Sequence, residues 1–165
     1  MAGRTWQDAV SVGVKGEALA RDVLIPRLYP GAHIEHITAV GDQKWLHADF
    51  AVTGAKQKLF LEVKADAHRT GNIVAETHLN YVTGRVSPGW LYKSKADVLL
   101  YVMLAFNKAY VIDMADLRLR CMQKQYTMKK TTLKGHYDCF FYLIPEAELV
   151  DAGYRVLTFD KEDVQ

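Results

Sequence analysis

The stretch KLFLEVKAD, residues 58–66, alternates with the two-residue period of a β-strand, yet neither of its faces is purely polar. Leu59, Leu61 and Val63 make one apolar face, while Phe60, Glu62 and Lys64 share the other. Upstream, WLHADFAVT (45–53) also has strand character and ends at GAKQ (54–57), a four-residue turn. The two segments therefore predict a hairpin in which Thr53 pairs with Lys58. That register sets Asp49 opposite Glu62 and His47 opposite Lys64, and leaves Phe50, Val52, Leu59, Leu61 and Val63 to the core. Facing carboxylates repel unless a cation or a proton lies between them. The spacing suits a hard divalent ion. Mg²⁺ takes oxygen ligands and keeps several waters, so Asp49 and Glu62 suffice, with the Val63 carbonyl between Glu62 and Lys64 as an extra ligand. Lys64, one step along the same face, is placed to orient or deprotonate an attacking water and to stabilise charge building on a phosphate. The competing reading is a solvated Glu-x-Lys pair of little energetic worth, and the hairpin register decides between the two.

The 165 residues suit one domain, spanning 1–165, and the composition is ordinary for a globular chain: 50% hydrophobic and 24% charged. Thr5 and Asp8 read as a capping box with Asp in place of Glu, opening a helix from about residue 6 to residue 24 that closes before Pro26. Val10, Val14, Glu17 and Arg21 share one stripe of it, which puts Glu17 at the edge of a buried face and above the hairpin site. Strands are expected near 32–40, over 72–79 and in VLLYVML (98–104), a buried central strand. Further along, AYVIDM, HYDCFFYLIP and YRVLTF read as strands, ADLRLRCMQKQ and EAELVDAG as helices, and SPGWLYKSKAD as a loop or short helix. The sum is α/β, a mixed central sheet flanked by helices.

A net charge of +2 does not by itself imply a polyanion partner, but its distribution is uneven. Leu117 to Tyr137 holds Arg118, Arg120, Lys124, Lys129, Lys130 and Lys134 and no acid, which reads either as a solvated helix end and loop or as a phosphate-facing arm. Cys121 and Cys139 form neither a disulfide framework nor a metal spacing and read as packing. The N-terminal stretch has no apolar core of signal-peptide length, and no apolar run approaches the roughly 18 residues of a membrane span. A cytoplasmic protein with no membrane contact is expected. His33 and His36 point to opposite faces of their strand, and His47 lines the site more readily than it ligates. Trp6, Trp45 and Trp90 read as core or rim, with Trp90 and Tyr92 beside Lys93 and Lys95 the best stacking platform.

Asp49, followed by Glu62-Val63-Lys64 and preceded by a helix bearing Gly16-Glu17, resembles the PD-(D/E)XK nuclease superfamily, with Ala48-Asp49 where the superfamily has proline-aspartate. TGNIVAETH (70–78) and GWLYKSKADVLLYV (89–102) resemble two further motifs of small phage-type nucleases. The resemblance implies a restriction-endonuclease-like αβββα core and a divalent-metal-dependent DNA nuclease, with Mg²⁺ replaceable by Mn²⁺. It also implies a host cytoplasm as the setting. Glu17, Asp49, Glu62 and Lys64 carry over as catalytic residues. Glu76 carries over either as support for the site or as a surface carboxylate, and Lys95 either as a phosphate contact or as a strand cap. His68, Arg69, Lys93, Lys124, Lys129, Lys130 and Lys134 are the expected DNA contacts. Duplex cleavage implies a homodimer, and structure-directed cutting of the junction-resolvase kind is favoured over tight base readout. The alternative is a DNA-binding protein that keeps the nuclease scaffold without activity.

Overall fold

The computed structural model describes residues 6–37, 44–133 and 135–164, so Thr5 of the expected capping box, the end of the strand expected near 32–40 and Lys134 lie outside the described residues. Helix α1 (Trp6–Leu19) runs through a π-helical turn, Ala20–Leu24, into a short helix α2 (Ile25–Leu28). Pro26 does not close the helical run as expected. It falls in the first turn of α2, where its missing N–H is not needed. The stripe facing the sheet also differs from expectation, because Val10 and Val14 are exposed while Leu19, Ala20 and Leu24 are buried. The cause is Gly16, which lies so close to β-sheet residue Ala65 that a Cβ there would stand 2.4 Å from the Ala65 Cβ. The helix therefore packs on its small residues and turns its valines outward.

The described residues form ten strands: β1 (His33–His36), β2 (Phe50–Thr53), β3 (Lys58–Asp66), β4 (Asn72–Tyr81), β5 (Val86–Pro88), β6 (Val98–Met103), β7 (Lys108–Asp113), β8 (Met128–Leu133), β9 (Tyr137–Pro145) and β10 (Arg155–Thr158). Six make a mixed sheet in the order β1-β2-β3-β6-β7-β10, with β3 and β6 its parallel pair. The other four make an antiparallel sheet in the order β5-β4-β9-β8. Helices α3 (Trp90–Lys93), α4 (Met114–Lys124) and α5 (Glu146–Asp151) complete the α/β architecture. The β2–β3 hairpin has the expected register, Thr53 opposite Lys58 and Phe50 opposite Leu61.

Two cores flank the six-stranded sheet. On one face Phe50, Val52, Leu61, Val63 and Leu100 meet Leu19, Leu24 and Ile25 of the helical run. On the other face Leu99, Tyr101, Tyr110 and Ile112 meet Trp90 and Leu91 of α3, Leu117 of α4, and Ile73, Ala75 and Ile144 of the second sheet. Glu62 and Lys64 belong to this second face, where the two sheets converge. Strand β4 does not neighbour β3 but joins the separate sheet, its backbone satisfied by β5 and β9. Among the described residues no helix is long and apolar enough to cross a membrane.

Candidate active site

The expected strand over 45–53 begins only at Phe50, because Lys44–Leu46 is a 3₁₀ turn and His47 takes a left-handed φ of 45°. His47 therefore does not pair with Lys64. The backbone pairing also stops short of Asp49, so the ladder does not form the expected Asp49–Glu62 pair. The Asp49 N–H donates to the Leu61 carbonyl at 2.8 Å, and its carboxylate accepts the Val63 N–H at 2.7 Å, taking the place of a ladder carbonyl. The Val63 carbonyl lies on the same strand edge as that N–H, the edge that Asp49 occupies.

Glu62 is only 4% exposed. One of its oxygens meets Lys64 Nζ at 2.5 Å and the other accepts the Ser94 hydroxyl at 3.1 Å. Ser94, itself buried, accepts the Ala96 N–H at 3.2 Å. Arg118 of α4 fixes the loop by donating to the carbonyls of Leu91 and Ser94, at 2.7 and 2.5 Å. Asp97 exchanges two hydrogen bonds with the Phe60 backbone, both 2.8 Å. The Ser94-Lys95-Ala96-Asp97 segment is thus a brace that aims Glu62 and locks the edge of β3. Ser94 was not singled out by sequence reasoning, although it stood inside a quoted motif. Lys95, whose N–H donates to the Leu46 carbonyl at 2.7 Å, keeps an exposed side chain near His47.

Glu17 stands at the open end of the β1–β2 pair, 3.6 Å from His36 Nε2, and the His36 ring leans on Phe50 at 5.1 Å. His36 is a second residue that sequence reasoning left outside the site. Glu76 arrives from the second sheet. Asn72, Val74 and Glu76 share one face of β4, but a bulge at Thr77 moves His78 to the other, where it stacks on Phe140 at 4.4 Å. Glu76 is held there by Gly89, where a Cβ would fall 2.5 Å from the Glu76 carbonyl oxygen.

These groups shape one another's ionisation. Burial raises the Glu62 pKa, Lys64 opposes that rise and Asp49 adds to it. Burial also raises Glu17, reinforced by Asp49 and offset by His36 and Lys64, and it raises Glu76 against the pull of Lys64. For Lys64 burial works against the charge, but Glu62 and Asp49 outweigh it and hold the ammonium above the usual lysine pKa. Lys64 still reaches solvent, with 34% of its side chain exposed into a cavity of about 730 Å³. Asp49, Glu62, Glu76 and Lys93 line that cavity with it, and Trp45 stands at its mouth.

The expected basic arm does not form one phosphate-facing surface. Lys124 pairs with Glu148 at 2.7 Å and Lys130 with Asp138 at 3.1 Å, acids brought alongside from α5 and β9. Lys129 and Lys130, adjacent on β8, point to opposite faces of the second sheet, and only Lys129 shares the face of Phe141. His68 and Arg69 are exposed in the loop after β3, where the His68 N–H donates to Asp66 at 2.7 Å. Trp90 is buried in the core, in line with the core-or-rim reading and not with a stacking platform, while Tyr92 and Trp45 are exposed, Trp45 at 63%. Cys121 and Cys139 are buried free thiols, and burial pushes their pKa values to about 11 and about 12.

Among the described residues no three His, Cys, Asp or Glu side chains gather closely enough to hold a metal by themselves. Two carboxylates and a backbone carbonyl fit instead a hard ion that keeps several waters, since every donor is oxygen. No family model, curated protein or solved structure matches the chain.

Proposed function

We propose that the chain is a divalent-metal-dependent DNA nuclease built on a PD-(D/E)XK-type core. The observation that carries this reading is Glu62, a buried carboxylate beside Asp49 with Lys64 at 2.5 Å, opening on a cavity. A helix, a three-strand meander and then a parallel fourth strand, β6, support an αβββα core. Bound by Asp49, Glu62 and the Val63 carbonyl, Mg²⁺, or Mn²⁺ in its place, would supply Lewis acidity toward a phosphoryl oxygen and acidify a water. Ser94 keeps Glu62 in one orientation for that role. Lys64, held protonated by its acidic neighbours, acts as a hydrogen-bond donor that orients the attacking water and offsets charge on the phosphate, not as the proton acceptor. Glu17, beside His36 and near enough to Asp49 to feel its charge, supports the metal shell. Lys93, in the cavity wall, is the best placed of the cations for the DNA backbone. Were both strands of a duplex to be cut in one encounter, two such sites would be needed, which a homodimer would supply.

The test incubates linear duplex, single-stranded and four-way-junction DNA with Mg²⁺, Mn²⁺ or EDTA. Cutting that needs the metal and disappears in Lys64→Ala supports the enzyme. Salt-sensitive binding without cutting in either metal would assign the chain to the inactive DNA-binding class instead.

A further inference from the structure

We infer that the nuclease site takes its DNA as a single strand, with unpaired bases laid on the second sheet beside the acid cluster. The inference rests on the nuclease reading and adds the substrate's form. A second cavity, of about 650 Å³, shares Glu76 with the first, so the two adjoin at that residue, with Lys64 in the first. The strand register explains its floor. Val74 lies opposite Leu143, Glu76 opposite Phe141 and Leu133 opposite Tyr137, which sets half-buried apolar and aromatic side chains next to one another on one sheet face. Trp45, 63% exposed, stands at the mouth of the first cavity, so aromatic surface lies on both sides of the catalytic groups.

The charges decide which part of a nucleic acid would face the floor. Asp66 and Glu76 line the groove and repel phosphate, whereas Arg69 in the adjoining loop and Lys129, across from Phe141, lie along its rim. A strand would therefore run with its phosphates at the rim and its bases inward. Base faces are available for stacking only when they are unpaired, and the aromatic and apolar part of the floor offers them a stacking surface.

The experiment titrates the intact protein in EDTA, where no cutting occurs, with oligo(dT) about 15 nucleotides long and with a blunt duplex of equal length, following tryptophan fluorescence and anisotropy of labelled DNA. Oligo(dT) should quench the Trp45 emission, the quenching should be lost in Trp45→Phe, and the duplex should bind at least about tenfold more weakly. Tyr137→Leu and Phe141→Leu should each weaken oligo(dT) binding about tenfold, the value of one lost stacking contact, at unchanged melting temperature. Should either leucine variant fold poorly, exposed Lys129→Glu supplies the same reading through the rim. Equal or tighter duplex binding, or well-folded variants that bind oligo(dT) like the parent, would overturn the inference. Since no metal is present, failure of the nuclease reading shows as absent cutting in the separate assay, with this binding pattern intact.

Discussion

Replacing Gly16 with alanine would place a Cβ 2.4 Å from the Ala65 Cβ. Comfortable carbon–carbon contact begins about 1 Å farther out, so either α1 must lift or β3 must give way. Overpacking of this kind costs about 1–3 kcal/mol. Alanine's better helix propensity offsets about 1 kcal/mol of that, which by itself blurs the sign. Gly13 removes the ambiguity. It lies in the same helix with nothing within 4 Å of its would-be Cβ, so Gly13→Ala takes the propensity gain without the clash. The difference between the two variants isolates the clash, about 1–3 kcal/mol. For a chain of this size that places the Gly16→Ala melting temperature about 6 °C below that of Gly13→Ala at the middle of the range.

A second cycle tests the contact itself. Ala65→Gly deletes the partner methyl, so the double variant should recover most of the loss, with a coupling energy of about 1–3 kcal/mol. The assay is thermal unfolding by circular dichroism at neutral pH in EDTA, repeated with urea. Identical melting temperatures for the two single variants, or a cycle with no coupling, would refute the close approach of α1 to β3. Because Glu17 follows Gly16 directly, Gly16→Ala should also slow DNA cutting, while Gly13→Ala should leave it intact.

Three further outcomes follow from the site. Ser94→Ala leaves one Glu62 oxygen and the Ala96 N–H without their buried partner, so it should lower stability by about 1–3 kcal/mol and reduce cutting in parallel, read from urea melts and a nuclease assay. Asp49→Asn keeps an acceptor for the Val63 N–H and removes a charge that disfavours ionised Glu62 and Glu17; it should fold with equal or higher stability yet not cut, and a strongly destabilised protein would speak against the arrangement. Glu76→Gln should act with a pH signature. The Glu76 pKa in the fold is raised above 4.5, so the folded state holds the proton more tightly and loses stability as pH rises through that raised value. The variant should therefore melt higher than the parent near pH 7 and show no such gain below about pH 4.

The hairpin register was legible because a buried face fixes the pairing. Phe50, Val52, Leu59 and Leu61 cannot slip by one residue without turning the core outward. The same logic failed upstream of Phe50, where Asp49 satisfies the Val63 N–H with its side chain and the backbone turns away, an exchange that leaves no trace in hydropathy. The sequence leaves Glu76 open between support for the site and a surface carboxylate. It reaches the cavity through a second sheet whose pairing of β4 with β9 joins residues lying 56 to 73 positions apart in a sequence with no local signal for it. The basic run from 117 to 137 looked unopposed because Glu148 and Asp138 lie outside it in sequence and beside it in space. Ser94, His36 and Trp45 matter through where the chain brings them, and a single sequence does not carry that information.

The charge balance of the site leads to a last expected outcome. Glu17, Asp49, Glu62 and Glu76 all interact with Lys64, and three of these acids have raised pKa values with burial as the leading cause. One ammonium cannot neutralise four carboxylates, and apolar residues of similar size would pack the same space without the desolvation penalty. Perturbed acids gathered at a cavity are the pattern of a working site, where stability is lost so that a charged ligand can be held. A divalent cation should therefore stabilise the fold even without DNA. At a tenfold excess over its dissociation constant the gain is about 1.4 kcal/mol, a rise of about 3–6 °C in melting temperature. The titration is run with Mg²⁺ and Mn²⁺ at constant ionic strength, using Asp49→Asn as the control in which the rise should disappear. A parent protein whose melting temperature ignores both ions, or an Asp49→Asn variant that responds as the parent does, would remove Asp49 and Glu62 as the place where the cation acts.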